Sequence, residues 1–172
     1  MTLQDDIRIL LGAPTMNPAD IRTLLRTDHD EILTLARDMY ESESADERRA
    51  LFKQLKPALV AHSRAEEKEV YDRLRYAGVT DYSADTACEG YVEHGVLDDL
   101  LEKLGRSRKT ETDEWKAHAK VLLEFLQRHV EEEQGGMFEL LGEHYTDELR
   151  ESMGRRFLAS KARYLALKMK AA

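Results

Sequence analysis

The sequence has little of what several protein classes require. It contains one cysteine, Cys88, so no disulfide can form within the chain. Only 9 glycines and 3 prolines occur among 172 residues, which argues against collagen-like and low-complexity chains. No apolar run approaches membrane-spanning length, and the start lacks the basic and apolar segments of a signal peptide. We therefore expect a cytoplasmic protein.

Basic residues are also in the minority. Lys and Arg number 26 against 34 Asp and Glu, which gives a formal net charge of -8. The basic residues form no isolated stripe, so we expect neither nucleic acid nor an anionic membrane as a partner. With 42% hydrophobic and 35% charged residues, the composition suits a helical chain that buries one core.

Apolar residues recur at helical spacing along most of the chain, and no segment shows the alternation typical of a strand. The pattern predicts helices over about 18–41, 44–76, 81–104 and 111–141, with a fifth helix beginning near Thr146. Short connections between long helices indicate antiparallel neighbours. We predict an all-α protein whose main part is an up-down-up-down four-helix bundle.

The same pattern divides the chain into three parts. Residues 1–17 are predicted to form a short N-terminal arm that Gly12 and Pro14 interrupt. Residues 18–142 form the four-helix bundle, and residues 143–172 form a C-terminal helix packed on it. Packing is expected for this last helix because an apolar stripe normally covers a core.

Six polar side chains interrupt the apolar faces of the four long helices, and they are His29, His62, Glu66, His94, His129 and Glu133. The two His-Glu pairs on helices two and four each have a spacing of four residues, which places both members on one helix face. The histidines of helices one and three lie about 15 Å from the helix N-termini, and the pairs lie about 12–21 Å from the C-termini of their helices. In an antiparallel bundle these depths coincide. We therefore expect all six groups in one buried layer.

The two remaining histidines do not belong to this layer. His118 shares a face with His129 but lies eleven residues away, about 16 Å along the axis, and so falls in the opposite half of the bundle. His144 precedes the fifth helix and is expected at the surface.

Buried imidazoles and carboxylates are costly unless they are paired, hydrogen-bonded or bound to a metal. Four imidazoles and two carboxylates exceed the needs of one tetrahedral zinc, and no thiolate is available. Two metal ions fit better: if Glu66 and Glu133 each bridge them, there is room for a bridging oxo or hydroxo group and an open position. Mixed nitrogen and oxygen ligation with vacancies suits iron, and manganese is the alternative.

The order of these residues resembles the hemerythrin-like family, the His-His-Glu cation-binding domain. A His on helix one, a His-x-x-x-Glu on helix two, a His on helix three and a His-x-x-x-Glu on helix four are matched by His29, His62–Glu66, His94 and His129–Glu133. The resemblance covers about residues 20–141. It implies a di-iron site of two non-heme iron ions in a four-helix bundle, with the two glutamates as bridging ligands.

One position departs from the oxygen-carrying members of that family. They have a second His one turn before the helix-three ligand, where this chain has Gly90, so the sequence does not encode a five-His oxygen carrier. Tyr91, three residues before His94, is a candidate extra ligand or hydrogen-bond partner, with an ordinary core position as the equal alternative. Glu93 and Glu67 are rival carboxylates.

One fewer imidazole leaves the metal ions more open, which favours a small oxidant as the ligand: dioxygen, peroxide or nitric oxide. The expected roles are an oxidative or nitrosative stress response, sensing or iron handling. Catalase-like turnover would make the protein an enzyme, and the sequence leaves that open. Two alternatives remain, a metal-free helical interaction module with buried ion pairs and a di-iron oxidase acting on an organic substrate. Monomer and dimer are both compatible with the sequence.

Overall fold

A computed structural model describes residues 20–76, 81–107 and 109–171 of the chain, and these residues form five helices and no strand. The helices are α1 (Ile21–Glu41), α2 (Ala45–Glu66, continued to Tyr76), α3 (Asp81–Arg106), α4 (Asp113–Glu132, continued to His144) and α5 (Asp147–Ala171). The prediction of an all-α bundle with a C-terminal helix is confirmed. The predicted N-terminal arm, residues 1–17, lies outside the described residues.

Capping side chains define where three of the helices begin. The carboxylate of Asp20 accepts from the backbone N–H of Arg22 at 2.9 Å, so α1 begins at Ile21, slightly later than the apolar pattern predicts. Ser44 and Thr112 cap α2 and α4 in the same way.

The helices α2 and α4 each contain one π-helical turn. In α2 this turn is Glu67–Tyr71, directly after Glu66, and in α4 it is Glu133–Met137. A π turn has i to i+5 hydrogen bonds and therefore changes which residues face the bundle interior. Both turns thus lie beside the glutamate of a His-x-x-x-Glu pair.

The bundle interior contains two apolar clusters. Contacts join α1 to α2, α2 to α3, α3 to α4 and α4 to α1, so the four helices close into a ring, and α5 packs on α1 and α2. The first core cluster is Ile32, Ala36, Met39, Leu55, Leu59, Leu97, Leu100, Leu101, Leu104, Trp115, Ala119, Leu122, Leu123, Leu126 and Val130. The second core cluster is Ile21, Leu25, Ala65, Val70, Tyr71, Leu74, Ala87, Met137, Phe138, Leu140, Leu141, Met153 and Phe157. Along each of the four helices, the polar layer falls between the two clusters.

Among the described residues, no helix is both long enough and apolar enough to span a membrane.

Candidate metal centre

The structure brings together all six side chains that the sequence places in one layer. Each is at most 6% exposed. Their ligand atoms form two groups, each with all atoms within 4.8 Å of one another: His29, His62 and Glu66 in one, and Glu66, His94, His129 and Glu133 in the other. Each group could hold a metal ion, and Glu66 belongs to both.

All four imidazoles direct Nε2 toward a glutamate. His62 and His94 approach Oε2 of Glu66 at 3.4 and 3.5 Å. His29 and His129 approach the two oxygens of Glu133 at 3.2 and 3.5 Å. Each carboxylate therefore faces one histidine from α1 or α2 and one from α3 or α4, which is the position that a bridging carboxylate would take.

Several of these inward-facing atoms have no hydrogen-bond partner among the described residues. They are Nε2 of His29 and His94, both oxygens of Glu66 and Oε2 of Glu133. Buried polar atoms are nearly always hydrogen-bonded, and leaving them unpaired costs about 1–3 kcal/mol each. Nitrogen and oxygen atoms gathered in this way are the donors that a transition-metal ion accepts, so the residues fit a metal site.

The outer nitrogen of each imidazole also has a partner. Nδ1 lies 3.2 Å from Asp28 in His62, 3.1 Å from Glu67 in His94, 2.6 Å from Glu93 in His129 and 3.3 Å from Gln134 in His29. Such contacts fix the ring orientation and leave Nε2 free for a metal. Glu67 and Glu93, which the sequence offered as rival ligands, lie at these outer positions.

The phenol that reaches the cluster is that of Tyr71. Its side chain is 1% exposed, and its hydroxyl donates to Oε1 of Glu133. An ideal Cβ on Gly90 would lie 2.6 Å from Cε2 of Tyr71 and closer still to Cζ, so the glycine leaves the space that this ring fills. Tyr91 instead donates to Asp72 at 2.7 Å and to the backbone carbonyl of Glu67 at 3.2 Å.

The apolar pattern does not predict Tyr71 at the cluster, because its spacing from Glu66 does not fit a regular α-helix. It lies five residues after Glu66, and in a regular α-helix a residue five positions on points away from the same face. The π turn Glu67–Tyr71 removes this mismatch. An aromatic residue at this spacing, opposite a glycine on the neighbouring helix, is the one signal that could have indicated it.

Neighbouring groups in the cluster shift one another's pKa values. Burial lowers the pKa of His62, but the carboxylates of Glu66 and Asp28 outweigh this effect and raise it to about 10. Burial likewise lowers the pKa of His94, but the nearby carboxylates of Glu66 and Glu67 outweigh this effect and raise it to about 9. The neighbouring His62 holds the pKa of Glu66 well below its usual value despite burial. A metal ion would therefore replace protons on these imidazoles.

The C-terminal helix also reaches the cluster. Nζ of Lys161 lies 2.6 Å from Oδ1 of Asp28, and the ring of Phe157 meets that of His62 edge-on with centroids 5.8 Å apart. Asp28 thus lies between a lysine of α5 and a histidine of α2.

The two histidines that the sequence set apart lie outside both groups. Nδ1 of His118 is 2.9 Å from the carbonyl oxygen of Glu114, one helical turn earlier. Nε2 of His144 is 3.9 Å from Glu143.

A helical bundle with a buried cluster of His and Glu side chains in its core defines a class of metal-binding proteins. The chain belongs to the family described as the hemerythrin HHE cation-binding domain, which matches residues 20–141. It is 25% identical over 144 residues to a protein described as a DNA nickase from Nostoc sp. (strain PCC 7120 / SAG 25.82 / UTEX 2576). That alignment covers 84% of this chain and 40% of the relative, so the chain spans about two-fifths of the relative's length. No solved structure is significantly similar to the chain.

Proposed function

We propose that this chain is a non-heme di-iron protein that binds or reacts with a small oxidant: dioxygen, peroxide or nitric oxide. The observation that carries the proposal is the pair of buried ligand groups that share Glu66. Two joined groups suit two ions better than one, and their nitrogen and oxygen donors suit iron, with manganese as the alternative. Two iron ions would supply one-electron redox chemistry and open coordination positions.

The residues have distinct roles in this proposal. The four imidazoles would hold the ions through Nε2, together with the carboxylates of Glu66 and Glu133. Tyr71 keeps a proton at Oε1 of Glu133, because burial and the adjacent carboxylate raise the pKa of its phenol well above 10. The two apolar clusters on either side limit the access of water. Such a site suits a role in the stress response, in sensing or in iron handling.

The two alternatives from the sequence have less support. An outward-pointing glutamate would support a metal-free interaction module, but Glu66 and Glu133 are buried, with 0% and 6% exposure. An oxidase for organic substrates needs a substrate cavity at the cluster. A cavity of about 600 Å³ beside α1 and α4 is lined by residues that include none of the six candidate ligands: Arg22, Thr23, Arg26, Phe138, Glu139, Gly142 and Glu143.

The description of the Nostoc relative as a DNA nickase gives little support for DNA cleavage by this chain. The alignment covers 40% of that protein. A net charge of -8 also opposes contact with a phosphate backbone.

Metal analysis of the protein after reconstitution with iron tests the proposal. We expect two irons per chain and ferric charge-transfer bands in the near ultraviolet, and fewer than one iron per chain would contradict a dinuclear site. Peroxide added to the loaded protein then separates the activities. Release of dioxygen would indicate catalase-like turnover, whereas a changed spectrum without dioxygen would indicate binding or sensing.

A further inference from the structure

The surroundings of the cluster repeat between the helix pair α1 and α2 and the helix pair α3 and α4. The acidic residue that precedes the histidine of the odd helix contacts Nδ1 of the histidine on the even helix. In the first pair Asp28 contacts His62, and in the second Glu93 contacts His129. The imidazoles of His62 and His129 are therefore supported alike, each by a buried carboxylate.

The two helix pairs differ at the residue that follows each proposed bridging glutamate. In α2 this residue is Glu67, and its carboxylate contacts Nδ1 of His94. In α4 it is Gln134, and its neutral amide contacts Nδ1 of His29. In the structure the amide nitrogen of Gln134 faces Nδ1 of His29. With a metal on Nε2 of His29, Nδ1 would carry the proton, and rotating the amide by 180° would place its oxygen Oε1 as the acceptor. His29 is thus the one imidazole of the four without a carboxylate on its outer nitrogen.

A second difference lies five residues after each bridging glutamate. Tyr71 packs on His94 with ring centroids 5.2 Å apart, and its hydroxyl reaches Glu133. The corresponding residue in α4 is Phe138, which stacks on His29 at 6.4 Å and has no hydroxyl. Glu67 and Tyr71 therefore lie beside His94. The neutral Gln134 and the apolar Phe138 lie beside His29.

Each of the three supporting carboxylates has a cation behind it. Lys161 lies 2.6 Å from Asp28, Arg128 lies 2.9 Å from Glu93, and Arg64 pairs with Glu67. Gln134 has no charge to contribute, so the two ligand groups differ in the number of anions that support their imidazoles.

We propose that the two metal positions are inequivalent and that Gln134 sets the difference. The position beside His94 and His129, where both imidazoles contact carboxylates, fills first. The position beside His29 and His62 fills second and exchanges its ion more readily. The reason is that a carboxylate on Nδ1–H makes an imidazole a stronger donor, and losing such a partner typically lowers metal affinity 10–100-fold. This inference rests on the proposed dinuclear site.

Titration of the metal-free protein with Co²⁺ under anaerobic conditions measures both affinities from the visible absorption. We expect two binding steps separated about 10–100-fold. Gln134→Glu should strengthen the second step about tenfold and leave the first unchanged. Glu67→Gln should weaken the first step by a similar factor. Gln54→Glu, the same charge change at an exposed position of α2, is the matched control and should alter neither step.

Anomalous scattering from crystals grown with one equivalent of Co²⁺ identifies the position that fills first. Cobalt beside His94 and His129 supports the inference, and cobalt beside His29 and His62 overturns it. Two equal affinities, or a second step that Gln134→Glu does not change, would also overturn it. Binding of a single ion at saturation would refute the dinuclear site itself, so the two failures are distinguishable.

Discussion

The two core clusters of this bundle are both apolar, but only one is built on regular helices. In the first core cluster, buried residues follow α-helical spacing, as Leu97, Leu101 and Leu104 do on α3. The second core cluster contains residues from both π turns, including Tyr71 and Met137. Packing alone needs a helix face with a constant period. The site needs side chains at particular points, and there the helix departs from that period.

The strongest test of this difference is to remove the shared carboxylate. Glu66→Ala deletes a proposed ligand common to both groups, so we expect fewer than one iron per chain by metal analysis. The helix content by circular dichroism should stay close to that of the natural protein, because the first core cluster is unchanged. His118→Ala, which removes an imidazole outside both groups, is the control and should still bind two irons. Full iron binding by Glu66→Ala would contradict the assignment.

Metal affinity should depend steeply on pH, because the pKa values of His62 and His94 lie at about 10 and about 9. At pH 7 both imidazoles carry protons that a metal must displace, so loading should release about two protons and affinity should rise about 100-fold per pH unit. Calorimetry in buffers of different ionisation enthalpy measures this release. Loading without proton release would refute the assignment of these imidazoles as ligands.

The same shifts predict the pH dependence of stability of the metal-free protein. Both pKa values are raised above the unfolded value of about 6.5, so their contribution is complete below pH 6.5 and is lost as pH rises through 9 to 10. The free energy of unfolding of the metal-free protein, measured in urea, should therefore fall between pH 7 and 10. In the loaded protein these two protons are absent and this loss should disappear.

A cavity in the first core cluster should lower the free energy of unfolding without lowering the iron content. Leu101 is 1% exposed, and Leu101→Ala should lower the free energy of unfolding by about 2–5 kcal/mol. The iron content should equal that of the unmodified protein, since none of the proposed ligands is changed. Val92→Ala, on the same helix but at a side chain 69% exposed, should change stability by less than about 0.5 kcal/mol. A loss of iron in Leu101→Ala before the protein unfolds would show that the two regions are coupled.

A methyl group at Gly90 tests the close packing around Tyr71. Gly90→Ala should displace the ring and cost about 1–3 kcal/mol of stability. Gly95→Ala is the matched control on the same helix, because nothing lies within 4 Å of its Cβ position. It should raise the free energy of unfolding by up to about 1 kcal/mol. Tyr71→Phe separates the hydroxyl from the ring, since it keeps the packing and removes the donor to Glu133. Equal effects of the two alanines would contradict the proposed fit.

The sequence predicts the helices and the common layer because both depend only on periodicity and on the rise per residue. His62 and Glu66 share a face on any α-helix, and counted depth places His29 and His94 at the same level. The structure brings these side chains together, and their role as ligands stays a prediction.

Two features could not be predicted in this way. Tyr71 depends on a π turn, which the apolar pattern does not reveal. The outer contact of Asp28 with His62 depends on how two helices cross, because neighbouring residues such as Asp28 and His29 point in directions about 100° apart on one helix. Local spacing contains no information about such a crossing.

The contact between Lys161 and Asp28 shows that the surroundings of the cluster extend beyond the four-helix bundle into α5. The family match stops at residue 141, yet a cation on α5, twenty residues further, holds the carboxylate that orients His62. A chain cut at the family boundary would keep all six proposed ligands and lose part of what aligns them. For anyone transplanting this domain into another protein, the segment to carry is therefore the one that includes α5.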